Sequence, residues 1–407
     1  MKILVIGLSP YLVTSRSKVS SLIMRYLYVK NFEVAGMVWA HDTNYFPPND
    51  SGKLTYKFDI DSQGAHEIPI VSFKRGEKEV VAVYEVLKSM EPDMVITVGD
   101  YGDFLYMKAV KMCYEKPFKW LFVLMNYSSP IREADQELIN ETDGVLCVSD
   151  FAWKSIKDFY HKDNAVVQYV GGNPKYYYPQ EVSKEKFRVM AIGKPIQADN
   201  LPAIMEAASI AHEQHSDIEL YLQTSIYDNG DYDLEELRRR FDPRNEFILF
   251  PNKYVSLTEE ITDIELAKEM NVADIFTSVS MASATSIGVF DAISCGCFPI
   301  LSDAGSNADV GRLLGNYLEG YETEDFILPC VNLITVGGSS LGVCDPRKLA
   351  EKILLAYRNR KKNKGCRDQL SQFINKYKRT DFLDGLYEMI EKTRKSEASL
   401  CLETIGE

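Results

Sequence analysis

From Ile275 to Asp303 the sequence switches pattern four times, and this stretch constrains the fold more than any other. Ile275 to Val279, Ile-Phe-Thr-Ser-Val, is a largely β-branched and aromatic run of strand length. Ser280 to Ser286 is a loop of small, mostly polar residues, and the next residues have helical apolar spacing broken by a single acid, Asp291. Gly296 stops that helix, and Phe298 to Leu301 is apolar again. Strand, loop, helix and strand in this order form a βαβ unit, in which the loop follows the carboxyl end of the first strand and opens the helix. The backbone amides of Ala284, Thr285, Ser286 and Ile287 then lie at a helix start, where N–H groups without intrahelical partners can bind phosphate. Asp291 is an acid on an otherwise apolar helix turn, so it needs a partner. It is either a hydrogen-bond acceptor for a ligand's hydroxyls or an acid favoured near the helix N-terminus by the dipole.

The same alternation runs along the chain. Lys2 to Ile6 reads as a buried strand, Ser15 as the cap of an amphipathic helix to about Lys30, and Phe32 to Trp39 as a second strand. Further strands are expected at Ile68 to Phe73, Met94 to Val98, Trp120 to Met125, Gly144 to Ser149 and Val166 to Val170. Helices are expected at Glu77 to Met90, Phe104 to Tyr114, Arg132 to Asn140 and Phe151 to Tyr160. Pro174, the tyrosines Tyr176 to Tyr178, Pro179 and the charged run Glu181 to Lys186 interrupt the pattern as a linker would. A second series follows, with strands at Phe187 to Ile192, Glu219 to Gln223, Glu246 to Phe250, Ile275 to Val279 and Phe298 to Leu301, and helices such as Leu201 to His212 and Leu234 to Arg240. The expectation is an α/β chain of two doubly wound, Rossmann-like domains, 1–178 and 179–375. Ligands in such folds sit at the carboxyl ends of the strands. A helical, charged segment, 376–407, completes the chain, with fraying after Ser396 as one reading of its end.

The chain of 407 residues carries a net charge of −13, which disfavours broad binding to nucleic acid or to an anionic membrane and favours a small-molecule substrate. Its eight cysteines are scattered, with no pair at zinc-ligand spacing. Cys295 and Cys297 flank the helix-stopping Gly296, where core packing is the simpler role. The first residues are apolar over too short a run for a signal peptide, and no run reaches the roughly 18 residues of a membrane span, so a cytoplasmic protein is expected. Lys108, Lys111, Lys116 and Lys119 lie among Leu105, Tyr106, Met107 and Phe118; this segment is either a solvated helix face or a peripheral membrane contact.

Two segments carry a family resemblance. Ser283, Asp291 and the run from Ala292 through Gly296 to Pro299 resemble the donor-binding signature of the GT4 retaining glycosyltransferases of the GT-B fold, in which two glutamates seven residues apart precede Ala-x-x-x-Gly-x-Pro. Gly193, Lys194, Asp199 and Asn200, with the helix opening at Leu201 and Pro202, align on the family's Gly-Arg, four residues, Lys-Asn or Lys-Gly. The resemblance implies two domains facing a cleft, and a UDP- or GDP-sugar as donor with no cofactor required. A divalent metal is allowed but not expected. Lys194 and the amides of residues 284–287 would hold the diphosphate beside Gly193, Asp291 would hold the ribose, and Ser283 would replace the acid that grips the sugar. Gln223, Asn252 and Tyr254 would face the nucleotide.

Asp199 departs from the family, because a carboxylate repels a diphosphate; a helix N-cap ahead of Pro202 is its other reading. In the N-terminal half the resemblance is looser. Asn126 stands at the approximate place of a family histidine, and Arg16 is either a replacement phosphate cation or a plain helix-face arginine. Ser9, His41, Asp42, Asp100 and Tyr101 lie at strand ends suited to an acceptor. The implied activity is transfer of a hexosyl or pentosyl group to a hydroxyl with retention of configuration. Two alternatives stay open: a degenerate glycosyltransferase that binds nucleotide sugar without turnover, supported by Asp199 and Ser283, and a phage-type enzyme acting on modified DNA bases, which the acidic composition disfavours.

Overall fold

A computed structural model describes residues 1–41, 53–59, 64–76, 78–127, 129–226, 230–251, 261–335 and 339–403. The chain forms two compact units: Met1–Asn126 with Ile131–Tyr169 and Asp381–Glu407, and Tyr127–Pro130 with Val170–Thr380.

The first unit is built on β1 (Lys2–Leu8), β2 (Glu33–Trp39), β3 (Thr55–Asp59), β4 (Ala65–Ser72), β5 (Met94–Gly99), β6 (Lys119–Leu124), β7 (Gly144–Cys147) and β8 (Ala165–Val167). They lie in the order β3-β4-β2-β1-β5-β6-β7-β8, parallel throughout except for the antiparallel pair β3 and β4. The central strands are covered on both faces, which is why β1 and β5 read as continuous apolar runs. The edge strand β3 instead alternates, with Tyr56 and Phe58 buried and Lys57 and Asp59 exposed, a pattern too short to stand out in the sequence.

The helix Ser15–Val29 is capped by the Thr14 hydroxyl, which accepts from the Ser17 N–H at 3.1 Å. This helix lies close against β1, because a Cβ at Gly7 would stand 2.6 Å from the Ser20 hydroxyl oxygen. The helix expected from Phe104 begins at Met107, after a tight turn over Tyr101–Asp103. The last helix, Arg379–Glu403, buries Phe382, Leu386, Met389 and Ile390, and the Asn164 amide donates to the Thr393 hydroxyl at 3.0 Å.

The second unit carries β9 (Phe187–Ile192), β10 (Ile218–Gln223), β11 (Ile248–Leu249), β12 (Ile275–Ser278), β13 (Phe298–Ser302) and β14 (Ile327–Leu328), all parallel, in the order β11-β10-β9-β12-β13-β14. A separate antiparallel hairpin pairs β15 (Cys330–Ile334) with β16 (Ser340–Cys344). Val189, Leu220, Phe276, Ile293, Ile300 and Phe326 are buried in the core of this unit. The chain starts in the middle of the sheet at β9, builds one way through β10 and β11, then returns to build the other way from β12. Loops after β9 and β12 therefore diverge to opposite faces and open a crevice at the carboxyl ends of these strands.

The stretch that reads as a linker packs into this unit. Tyr177 is fully buried with its hydroxyl donating to Asp263 at 2.6 Å, and the Gln180 N–H donates to Asn271 Oδ1 at 2.6 Å.

Candidate functional site

In the second unit, Gly193 and Lys194 follow β9 and lead to the helix Leu201–Gln214, while residues 279–286 follow β12 and lead to the helix Ile287–Ser294. The two loops are tied together at the switch point. The Met281 N–H donates to the Ala198 carbonyl at 2.8 Å, and the Lys194 N–H donates to Asp199 Oδ2 at 2.7 Å. Burial raises the Asp199 carboxyl above its ordinary value, opposed by the Lys194 N–H, the Lys194 charge and the Ser280 hydroxyl. Asp199 thus shapes the turn that presents Lys194, a backbone-holding use related to the N-cap reading but directed at the preceding loop.

Next to it, Asn200 takes a left-handed conformation (φ 54°) as it opens the helix, and its side-chain amide nitrogen is buried without a hydrogen-bond partner. Thr224 and Ser225, just past the end of the neighbouring β10, likewise carry buried hydroxyls without partners. Gly193 N–H donates to the Gln223 carbonyl at 3.3 Å, which keeps these two strand ends side by side. The Gln223 side chain accepts from the Tyr221 hydroxyl at 3.1 Å.

The loop after β12 is held by a network of small polar side chains. Ser286 caps the helix Ile287–Ser294 in a left-handed conformation (φ 49°), and its hydroxyl meets those of Ser283 at 3.2 Å and Ser306 at 2.7 Å and donates to Asn307 Oδ1 at 2.7 Å. Ser283 and Ser306 are themselves 3.0 Å apart. The Asn307 amide then donates to the Ser278 carbonyl at 3.0 Å, and the Ser302 hydroxyl to the Ser280 carbonyl at 2.8 Å. Gly305 is required here: its φ is +55°, and an added Cβ would stand 2.2 Å from the Ser283 carbonyl oxygen. Thr285 and Ile287 are buried and Ala284 is half-buried. Ser306 and Asn307, which tie Ser283 and Ser286 together, lie beyond the motif, so the whole network could not be read from the motif's own spacing.

Asp291, expected on a ribose, is 1% exposed and faces inward. Its Oδ1 and Oδ2 accept from Arg379 Nη2 at 2.7 and 2.9 Å, and Oδ1 also accepts from the Asn173 N–H at 3.2 Å. Arg379 is 5% exposed, and its Nη2 also lies 3.3 Å from the Gly171 carbonyl. Nothing in the sequence near Asp291 signals this partner.

In the first unit the strand order reverses between β1 and β5, which brings their loops to a second switch point. Ser9 follows β1, and its buried hydroxyl lies 3.1 Å from His41 Nδ1 after β2. After β5, Asp100 caps the turn Tyr101–Asp103 by accepting from the Gly102 N–H at 3.3 Å. Burial pushes the Asp100 carboxyl up to about 6, against the pull of the Arg16 guanidinium. Tyr101 is buried. Arg16, read as either a phosphate cation or a helix-face arginine, donates to Asp103 Oδ2 at 2.7 Å, while Arg75 donates to Asp103 Oδ1 at 2.6 Å. The Asn126 amide, fully buried, donates to the Ser155 hydroxyl at 2.8 Å. Asp42, Asn252 and Tyr254 lie outside the described residues.

Among the described residues no group of three His, Cys, Asp or Glu side chains could hold a metal ion, and no helix is long and apolar enough to cross a membrane. The four lysines around the helix Met107–Cys113 lie near carboxylates: Lys108 on Glu137, Lys116 on Glu91 at 2.5 Å, and Lys111 and Lys119 on Asp143 at 3.9 and 3.6 Å.

No protein-family model and no curated protein matches this chain. Solved structures do. The chain is similar to sucrose-phosphate synthase from Thermosynechococcus elongatus, with a TM-score of 0.72 and 11% identity over 97% of this chain and 100% of that one. It is similar to the lipopolysaccharide outer core galactosyltransferase WaaB, with a TM-score of 0.62 and 12% identity over 96% and 99% of the two chains. A third similar structure is the pneumococcal O-GlcNAc transferase GtfA in complex with UDP and GlcNAc, with a TM-score of 0.63 and 10% identity over 97% and 99%. The fold is therefore that of the GT-B glycosyltransferases, an α/β architecture of two Rossmann-like domains.

Proposed function

We propose that this protein is a glycosyltransferase whose second unit binds a UDP- or GDP-sugar and whose first unit binds a hydroxyl acceptor. The observation that carries the reading is the set of buried polar atoms without partners at the second unit's strand ends: the Asn200 amide nitrogen and the Thr224 and Ser225 hydroxyls, next to Lys194. Buried polar groups are normally hydrogen-bonded, so a cluster of exceptions at a switch point suits a polar ligand. Asn200 opens the helix Leu201–Gln214 and Thr224 and Ser225 directly follow the neighbouring β10, so hydrogen-bonding groups gather beside a helix start, an arrangement that accepts a diphosphate. The UDP-bound neighbour GtfA gives the same reading a precedent of equal fold.

In the reaction, the bond between the sugar's anomeric carbon and the diphosphate oxygen breaks as the bond to the acceptor oxygen forms. Lys194, Asn200 and the amides of residues 284–287 stabilise the charge that collects on the departing diphosphate, and they do so without reorganising because the loops are already braced. With retention, the diphosphate oxygen leaves on the face that the acceptor enters, so it takes the acceptor's proton and no protein nucleophile is required. Asp291 is assigned a positioning role: its pair with Arg379 fixes the helix whose first turn meets the diphosphate.

The test is incubation with a panel of UDP- and GDP-sugars and sugar acceptors. Release of the nucleoside diphosphate and an unchanged anomeric configuration by NMR are expected; no release with any pair would defeat the proposal. A second reading, a nucleotide-sugar binding protein without turnover, is favoured by the internal use of Asp199, Ser283 and Asp291. Tight binding without release identifies that case.

A further inference from the structure

Cys330 and Cys344 are register partners across the antiparallel β15 and β16, and their sulfur atoms are 3.0 Å apart. Directly opposed residues of an antiparallel pair have Cα atoms about 4.5–5.5 Å apart, inside the span of a disulfide, so joining them needs no shift of the strands. Cys295 and Cys297 donate their thiols to the Ala267 and Met270 carbonyls and have no cysteine as register partner, whereas Cys330, whose thiol also lies 3.5 Å from the Leu328 carbonyl, faces Cys344. Burial pushes the thiols of Cys147, Cys295, Cys297 and Cys366 up. Cys330 goes the other way. It is only half-buried where Cys344 is buried, and the contact between the two sulfurs holds Cys330 below the ordinary thiol range while Cys344 is raised.

The hairpin is joined to the loop after β12. Gly342 N–H donates to the Met281 carbonyl at 2.8 Å, and a Cβ at Gly342 would stand 2.7 Å from the Ala304 Cβ. Met281 N–H is in turn bonded to Ala198, so the hairpin, this loop and the turn after β9 form one hydrogen-bonded chain.

We propose that Cys330 and Cys344 are a reversible redox site, in which hydrogen peroxide converts the pair to a disulfide that locks the hairpin and the loop it braces. The Cys330 thiolate attacks the peroxide, the O–O bond breaks, and Cys330 becomes a sulfenic acid with release of hydroxide. The Cys344 sulfur then attacks the Cys330 sulfur, displacing the hydroxyl group, and its proton completes a water molecule. Both thiols are oxidised by one electron each, and one peroxide is reduced.

The experiment treats the full chain with hydrogen peroxide and counts thiols after denaturation. Two of the eight should disappear, peptide mapping should show a Cys330 to Cys344 cross-link, and dithiothreitol should restore both. Amide exchange at Gly342 should slow by roughly 100-fold, the scale expected for closing a loop of this length. Cys344→Ser should leave a sulfenic acid at Cys330 that dimedone traps, whereas Cys330→Ser should give no trapped sulfenic acid at Cys344. Both sulfurs remaining thiols under peroxide, a cross-link to any other cysteine, or an intact disulfide with unchanged exchange at Gly342 would overturn the proposal. These readouts need no sugar donor, so they stand or fall apart from the glycosyltransferase reading.

Discussion

The switch points of the two units are alike in topology and opposite in chemistry. At the β9 and β12 ends, apart from Lys194 and Asp199, the polar groups are amides and hydroxyls: Asn200, Thr224 and Ser225 without partners, and the Ser283, Ser286, Ser306 and Asn307 network behind them. At the β1 and β5 ends they are titratable: Asp100 raised to about 6, and Asp103 shared by Arg16 and Arg75. Neutral donors cost less to bury than charged groups and keep their capacity at every pH, which suits an anionic ligand. A charged cluster gives a site whose state depends on proton concentration.

That contrast can be broken first at the buried charges. Asp291→Ala strands Arg379, 5% exposed, without its carboxylate, and should cost about 3–5 kcal/mol in chemical denaturation. Asp103→Ala should cost less, roughly 1–3 kcal/mol, because Arg16 and Arg75 still reach water. Equal losses would mean that the two charge clusters are not different in kind.

A second test uses pH. Between about pH 4 and 6 folded Asp100 keeps a proton that the unfolded chain has lost, so the stability it contributes falls as pH rises through that window and is level above it. The change is on the order of 2–3 kcal/mol. Asp100→Asn should flatten the denaturation profile there, leaving the slope of Asp199, whose carboxyl is also raised. An unchanged profile would remove Asp100 as the titrating group.

The smallest effect is the most specific. Asn200→Gly keeps the left-handed backbone while deleting the amide, and Thr224→Val deletes a hydroxyl. Each should weaken UDP binding by about 1 kcal/mol, measured by calorimetry, with stability nearly unchanged. A loss of stability without a loss of affinity would assign these groups to the scaffold.

Much of the architecture was legible because it follows from local period. The strands Phe187–Ile192 and Ile275–Ser278 and the helices Leu201–Gln214 and Ser15–Val29 carry apolar spacing that needs no distant partner to be read. The edge strand β3, the two-residue β14 and the exposed hairpin did not stand out, since each is short or owes its existence to a neighbour. At the site, the loop amides opening the helix Ile287–Ser294 and the position of Lys194 after β9 follow from the motif. The buried donors Thr224 and Ser225 do not, because their lack of partners is a property of the packed molecule.

The sequence alone determined that alternating strands and helices would build parallel sheets, and that the segments around Gly193 and Ser283 would stand at strand ends. Only the tertiary structure decided what the charges touch. Asp291 and Arg379 are 88 residues apart, Arg16 and Asp103 are 87 apart, and neither pairing leaves a mark on its own segment. Periodicity is written in each element's own residues, whereas a buried charge takes whichever counter-charge the folded chain brings within reach, since leaving it unpaired costs more than any local preference could return.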